Sequence, residues 1–345
     1  VGVLWVKCSR RMKRKRVLWC SLLSGIMMWP ATMVAHAEEA ANSDRYSFDQ
    51  VVVTATKNPE KEFETNANIT VITKEKIEKN RFQNLAEALK TVPGVNIQTY
   101  GAGGESYTSN TLYINGSSNV VVLIDGIRAN VNGTVFNKFP VAEFNALNNI
   151  ERIEVLKGSA STLYGSDAQG GVINIITRKP TSNKTTLKIS GGSYSQGLYS
   201  ISTQGKDKGF SWYIASQKQT IGDYKDAKGV TVPTHQDAIT NTVKLTKQLN
   251  AVSDISLYFQ SYYADYMRSG TLTNLTNVQN GKKDNYKWNV VYNYKLSDRT
   301  TNQLTIFQNV NRLNDSYNKV SSLWYMDLET VGFQDQFTTK LGKAH

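Results

Sequence analysis

The sequence predicts two folds in series: a compact α+β domain over residues 61–180, then an antiparallel transmembrane β-barrel that begins at residue 181. Two observations carry this. Residues 60 to 180 mix short β-branched runs with two helical stripes, whereas after Pro180 long stretches alternate with period 2, a strand signature. A third observation is the start of the chain, which reads as an export signal and makes a membrane barrel possible.

Residues 1–37 have the parts of a Sec signal peptide. Arg10 to Arg16 are basic, Val17 to Met28 are apolar, and Ala35-His36-Ala37 offers a small-x-small cleavage site. The apolar run is too short to span a bilayer. The chain of 345 residues has a formal charge of +12, which invites a nucleic-acid reading. Seven of its 40 Lys and Arg residues precede position 38, and no acid does; the remaining 33 face 28 acids, an ordinary surface without a phosphate-binding patch. Both cysteines, Cys8 and Cys20, fall in the leader, so the mature chain is expected to hold neither a disulfide nor a cysteine metal site.

Asp49-Gln50-Val51-Val52-Val53-Thr54-Ala55 follows the leader and a short polar tail, 38–48. Val and Thr favour extended backbone, and Pro59 discourages helix just before it. The run can add as a strand to another protein's sheet edge, or serve as the first strand of the domain behind it. Ile69 to Ile72 is a strand, and Thr73 is placed to cap a helix opening at Lys74. Leu85, Ala86, Ala88 and Leu89 form the stripe of a second helix, stopped at Val92-Pro93-Gly94. Val95 to Ile97, Leu112 to Ile114 and Val120 to Ile124 are extended, and Asp125-Gly126 is a tight-turn signal. Ile150 to Leu156 alternates, and Val172 to Ile176 follows the pair Gly170-Gly171.

Beyond Pro180, Phe210, Trp212 and Ile214, then Ile255, Leu257 and Phe259, then Trp288, Val290, Tyr292 and Tyr294 interleave with mostly polar neighbours. Short turns such as Lys206 to Gly209 and Ser297 to Arg299 separate some strands, and longer polar stretches, Gly222 to Asp237 and Met267 to Asn285, separate others. Short turns at one end and long loops at the other describe an outer-membrane barrel; a soluble sandwich also alternates.

Four segments, in order, resemble the plug domain of TonB-dependent outer-membrane receptors. They are Leu89-Lys90-Thr91-Val92-Pro93-Gly94-Val95, Val122 to Arg128, Ile150 to Gly158, and Ser161 to Thr177. Within the family the chain looks similar to the cobalamin and siderophore receptors, through Phe139-Pro140-Val141 and Tyr164 to Ala168. The family commonly has Ile-Arg-Gly where this chain has Ile114-Asn115-Gly116, which removes one arginine from the usual plug-to-barrel charge cluster. Arg128, Glu151, Arg152 and Glu154 are the remaining candidates for it.

The resemblance implies a barrel of about 22 strands closed by the plug, located in the cell outer membrane and contacting its lipid. It implies a Ton box at Asp49 to Ala55 (38–60 with its linker), pairing edge to edge with the periplasmic domain of TonB. It implies active uptake of a scarce, bulky metal chelate, either a corrinoid or a ferric siderophore, that brings its own Fe or Co. Signalling without transport is the alternative. Ligand contacts are expected from Tyr100, Gly103, Gly104, Tyr107, Arg128, Asn130 and Asn132, since glycines let backbone approach a ligand and tyrosines offer a flat face with a polar tip. Asp223, Asp226 and Asp237 are candidate Ca²⁺ ligands in a loop, as carboxylate oxygens suit that ion. No resident cofactor is expected. No catalytic Ser/His/Asp spacing appears, and no Gly-Lys-Ser/Thr follows Gly158 to Gly165, so no enzyme is expected. Residues 181–345 offer about eight strands, too few to close around a plug, so a truncated, non-transporting fragment of a longer receptor is also expected.

Overall fold

The computed structural model describes residues 5–6, 52–53, 60–61, 68–82, 84–98, 111–130, 147–271, 274–317 and 321–339. The expected leader, apart from Trp5–Val6, lies outside them. In chain order the strands are β1 (Trp5–Val6), β2 (Val52–Val53), β3 (Glu60–Lys61), β4 (Ile69–Thr73), β5 (Val95–Gln98), β6 (Thr111–Ile114), β7 (Val120–Ile124), β8 (Ile127–Arg128), β9 (Ile150–Lys157) and β10 (Gly171–Thr177). Then come β11 (Lys184–Gly192), β12 (Gln196–Asp207), β13 (Phe210–Ile221), β14 (Tyr224–Lys225), β15 (Thr231–Val232), β16 (Gln236–Asn250), β17 (Ser253–Thr271), β18 (Asn274–Lys295), β19 (Thr300–Tyr317) and β20 (Ser321–Thr339). Helices are α1 (Lys74–Lys79), α2 (Leu85–Leu89) and α3 (Ser161–Tyr164).

The first domain is built on a five-stranded sheet in the order β4-β9-β10-β7-β8. The β10–β7 pair is parallel and the others are antiparallel. Local chemistry sets its joints. Thr73 caps α1 by accepting from the Lys76 amide, and Asn84 caps α2 by accepting from the Glu87 amide at 3.0 Å. Asp125 and Gly126 both take left-handed backbone, φ 50° and 81°, as a two-residue hairpin between right-twisted strands requires. Asn115-Gly116 makes the same kind of turn: Ile114 and Ser117 exchange both backbone hydrogen bonds across it. Asn tolerates left-handed backbone better than most side chains, which gives Asn115 a structural reason to stand here.

Two apolar clusters cover the sheet's two faces. The larger gathers Ile72, Ile77, Leu85, Leu89, Ile97 and Ile114 against Val122, Ile153 and Ile173. The smaller contains Val121, Leu123, Leu156, Ala160, Ala168 and Val172. Gly171 sits where β10 meets β9; a Cβ there would lie 2.2 Å from the Leu156 carbonyl oxygen.

The second part is an antiparallel sheet in the order β1-β20-β19-β18-β17-β16-β13-β12-β11. Its eight long strands are joined to their sequence neighbours, and the two-residue strand β1 lies on the outer edge of β20, Trp5 opposite Val331. Among the described residues the sheet does not close into a barrel: β11 and β20 stand on opposite sides. The expected polar stretch Met267 to Asn285 is mostly strand, because β17 and β18 run on in register from Tyr266 opposite Gly281 to Ser269 opposite Val278.

One face of this sheet carries exposed Leu187, Ile189, Ile201, Ile255, Leu257, Ile306, Phe333 and Phe337. The apolar band crosses the strands obliquely. A single register row runs Ile189, Tyr199, Lys218, Ile239, Tyr263, Asp284; it is apolar at the β11 edge and acidic by β18. Strands tilted about 35–45° to a bilayer produce such a drift. No helix of the described residues is long and apolar enough to cross a membrane. The opposite face meets the first domain: Tyr258, on β17, is buried within that domain's larger apolar cluster.

Candidate functional site: the boundary between plug and wall

Three wall-to-domain hydrogen bonds mark the boundary among the described residues. Lys244 Nζ, on β16, donates to Asp125 Oδ2 at 2.9 Å and also to Thr177 Oγ1. Asn309 Nδ2, on β19, donates to the Arg128 carbonyl oxygen at 3.2 Å. The period of two explains the wall side: Thr240, Thr242 and Lys244 share one face of β16, and the two threonines are buried.

Asp125 is fixed from several directions. Its amide donates to the Ile175 carbonyl at 2.9 Å, while Oδ1 accepts from the Thr177 amide at 2.8 Å and Oδ2 from the Thr177 hydroxyl at 2.6 Å. Lys244 therefore holds the β7–β8 turn and the end of β10 together against the wall. A cation with only 14% of its side chain exposed is stable here because the carboxylate and hydroxyl replace its water.

The expected charge contacts are arranged differently. Arg152 and Glu154, two apart on β9 and so on one face, pair with each other: Arg152 Nη2 lies 2.8 Å from Glu154 Oε1. Glu154 is fully buried, with the Asn174 amide 3.5 Å from its other oxygen. Glu151 is exposed. Arg128 pairs with Asp167 inside the same domain, leaving its Nε buried without a partner. It borders a small crevice against Tyr258, Lys287, Phe307 and Asn309. Among the described residues the ion pair that crosses the boundary is thus Lys244–Asp125, and neither residue was among the expected contacts. The Asp125-Gly126 turn was legible; the facing lysine had no local signal.

Of the expected ligand contacts, Tyr100, Gly103, Gly104, Tyr107 and Asn132 lie outside the described residues. Asn130 is turned inward: it is 4% exposed, accepts from the Val122 amide at 2.7 Å and donates to the Val120 carbonyl at 3.0 Å. That makes it a clasp on β7 rather than an open contact. Of the expected TonB-binding segment, Val52 and Val53 are described; Asp49, Gln50, Val51, Thr54 and Ala55 are not. Val52 stands opposite Lys61 and Val53 opposite Glu60 in a two-stranded ladder.

The expected Ca²⁺ cage does not form. Asp223 Oδ1 accepts from the Thr234 and His235 amides, and Asp226 Oδ1 from the Lys228 and Val230 amides, so both carboxylates shape the β13–β16 loop. Asp237 is exposed on β16 opposite Thr220. Among the described residues no three His, Cys, Asp or Glu side chains gather as metal ligands do.

A second cluster lies on the inward face of β17 to β19. Asp315, fully buried, accepts from Tyr266 Oη at 2.6 Å and Gln279 Nε2 at 2.7 Å. The Tyr266 ring crosses Gly281 to reach it; a Cβ on Gly281 would lie 2.1 Å from that ring. Lys283, also buried, stands over the ring at 5.6 Å.

An α+β domain seated on the inward face of an obliquely banded antiparallel sheet defines a plugged outer-membrane receptor. Residues 61–172 match the family model described as TonB-dependent Receptor Plug Domain, and the chain is a TonB-dependent receptor of the cobalamin and siderophore type. It is 38% identical over 173 residues to the vitamin B12 transporter BtuB of Vibrio vulnificus, covering 49% of this chain and 26% of that protein. It is 29% identical over 289 residues to BtuB of Photobacterium profundum, covering 81% of this chain and 45% of that protein. The siderophore receptor PiuA from Acinetobacter baumannii superposes with a TM-score of 0.64 at 21% identity, covering 86% of this chain and 45% of that one. The ferripyoverdine receptor of Pseudomonas aeruginosa gives 0.64 at 16% identity, covering 83% and 41%. At those identities the two structures speak to the fold alone. The chain spans less than half the length of each of these relatives.

Proposed function

We propose that this chain belongs to an outer-membrane receptor that carries a bulky metal chelate, a corrinoid or a ferric siderophore, into the periplasm with work supplied through TonB. The observation that carries the reading is the seating of the plug on the wall through Lys244, Asp125 and Thr177. A seated plug stops diffusion, so uptake requires work on the plug. The outer membrane holds no nucleotide store, and the work has to arrive from the periplasm through a handle near the chain's start. Val52 and Val53 supply the extended segment: β3 occupies one edge of β2, and among the described residues the other edge is unpaired and fit for strand addition. The relatives named as vitamin B12 transporters favour a corrinoid over a siderophore.

Val53→Pro tests the reading, since proline has no amide proton for a strand ladder. Uptake of radiolabelled cyanocobalamin is expected to vanish while its surface binding persists. Undiminished uptake in the variant sinks the TonB route. Binding of a ferric siderophore with none of cyanocobalamin overturns the corrinoid assignment.

A further inference from the structure

We propose that Lys244 is a positioning residue that divides the plug into a removable part, residues before β7, and a retained part, β7 to β10; the inference rests on the TonB-driven reading above. A pull applied near Val52 travels along the chain. It meets β4 first, an edge strand paired only with β9 by five residues. After β4 come α1, α2, β5 and β6, which contribute Ile77, Leu85, Leu89, Ile97 and Ile114 to the larger apolar cluster. The next strand, β7, ends at Asp125, where Lys244 grips the turn.

Several observations place the division there. All three wall-to-plug hydrogen bonds described above land on Asp125, Arg128 or Thr177, none on a residue before β7. The smaller apolar cluster has all its buried members between Val121 and Val172, so it stays whole when the earlier elements leave. The retained part is cross-tied within itself by Asn130 to β7, by Arg128 to Asp167 and by Asp125 to Thr177. It is also covalently continuous with β11 through residues 178–183. Parallel pairing of β7 with β10 adds five register pairs inside that part. The two parts therefore differ in what holds them: packing and one edge ladder for the first, wall contacts and its own core for the second.

Force spectroscopy on the intact protein in a bilayer, pulling from Val52 with the wall held, reads the division as released length. Unravelling residues 68–119 yields about 180 Å, and continuing to Thr177 yields about 370 Å, at roughly 3.4 Å per residue. The wild type is expected to stop near the shorter length. Lys244→Met is expected to run to the longer one, as is Asp125→Asn, which removes the charge from a turn that Asn tolerates. Equal lengths in all three proteins overturn the assignment, and so does a wild type that releases the longer length. No release at all overturns both this assignment and the TonB-driven reading, whereas unaltered Lys244-independent release leaves that reading standing.

Discussion

Lys244 Nζ lies 2.9 Å from Asp125 Oδ2, joining residues 119 apart in sequence across the boundary between plug and wall. The lysine side chain is 14% exposed and the aspartate 28%, so water screens the pair only partly. Lys244→Met leaves Asp125 with its Thr177 donors but without its cation. The expected loss of plug stability is about 1–3 kcal/mol, read as a lower urea midpoint for plug unfolding. Combined with Thr177→Val it should show a coupling of about 0.5–3 kcal/mol, because both side chains meet at one carboxylate.

Gly171→Ala should be far worse than Gly126→Ala. At Gly126 the φ of 81° is left-handed but no atom lies near a new Cβ, so only the backbone cost of about 1–2 kcal/mol applies. At Gly171 the Cβ would fall 2.2 Å from the Leu156 carbonyl oxygen, and neither strand can yield without breaking the β9–β10 ladder. Thermal melts of the two variants, with amide exchange at Leu156 and Val172, check the order.

Much of the plug was legible because its joints are local. Thr73, Val92-Pro93-Gly94 and Asp125-Gly126 each announce themselves within four residues, and the strands between them are β-branched. Alternation likewise gave the wall and its faces. Parity could even have paired Arg152 with Glu154, which share a face of β9. What stayed hidden depends on distant segments. The partner of Asp125 is set by which wall strand passes the plug. Met267 to Asn285 gave no alternation because β17 and β18 continue beyond the apolar band, where both faces can be polar. Asn130 looked like an open loop residue because only the folded sheet brings Val120 and Val122 to its amide.

Tyr164 makes the plug sensitive to alkali. Burial pushes its phenol up to about 12, and the nearby Glu154 carboxylate adds to the rise. The folded state therefore favours the neutral phenol. Its contribution is fully present below the unfolded pKa of about 10 and is lost as pH climbs through the folded value. Denaturation midpoints at pH 9 and pH 11.5 should diverge more in the wild type than in Tyr164→Phe, which has no proton to lose. Equal divergence in the two proteins would assign the alkaline loss to other tyrosines.

Tyr266 and Gly281 act as one unit in the wall. The glycine leaves room for the ring to cross β18, and the ring's hydroxyl then reaches Asp315 at 2.6 Å. Tyr266→Phe keeps the ring over Gly281 and removes one hydrogen bond from a fully buried carboxylate, an expected cost of about 1.5–3 kcal/mol. Gly281→Ala keeps the hydroxyl but sets a Cβ 2.1 Å from the ring, forcing Tyr266 out of its place and breaking the same bond. The two changes remove one contact by different routes, so the double variant should be less destabilised than the sum of the singles. Unfolding in urea, followed through tyrosine fluorescence, measures the shortfall; strict additivity would mean that the ring and the glycine are independent.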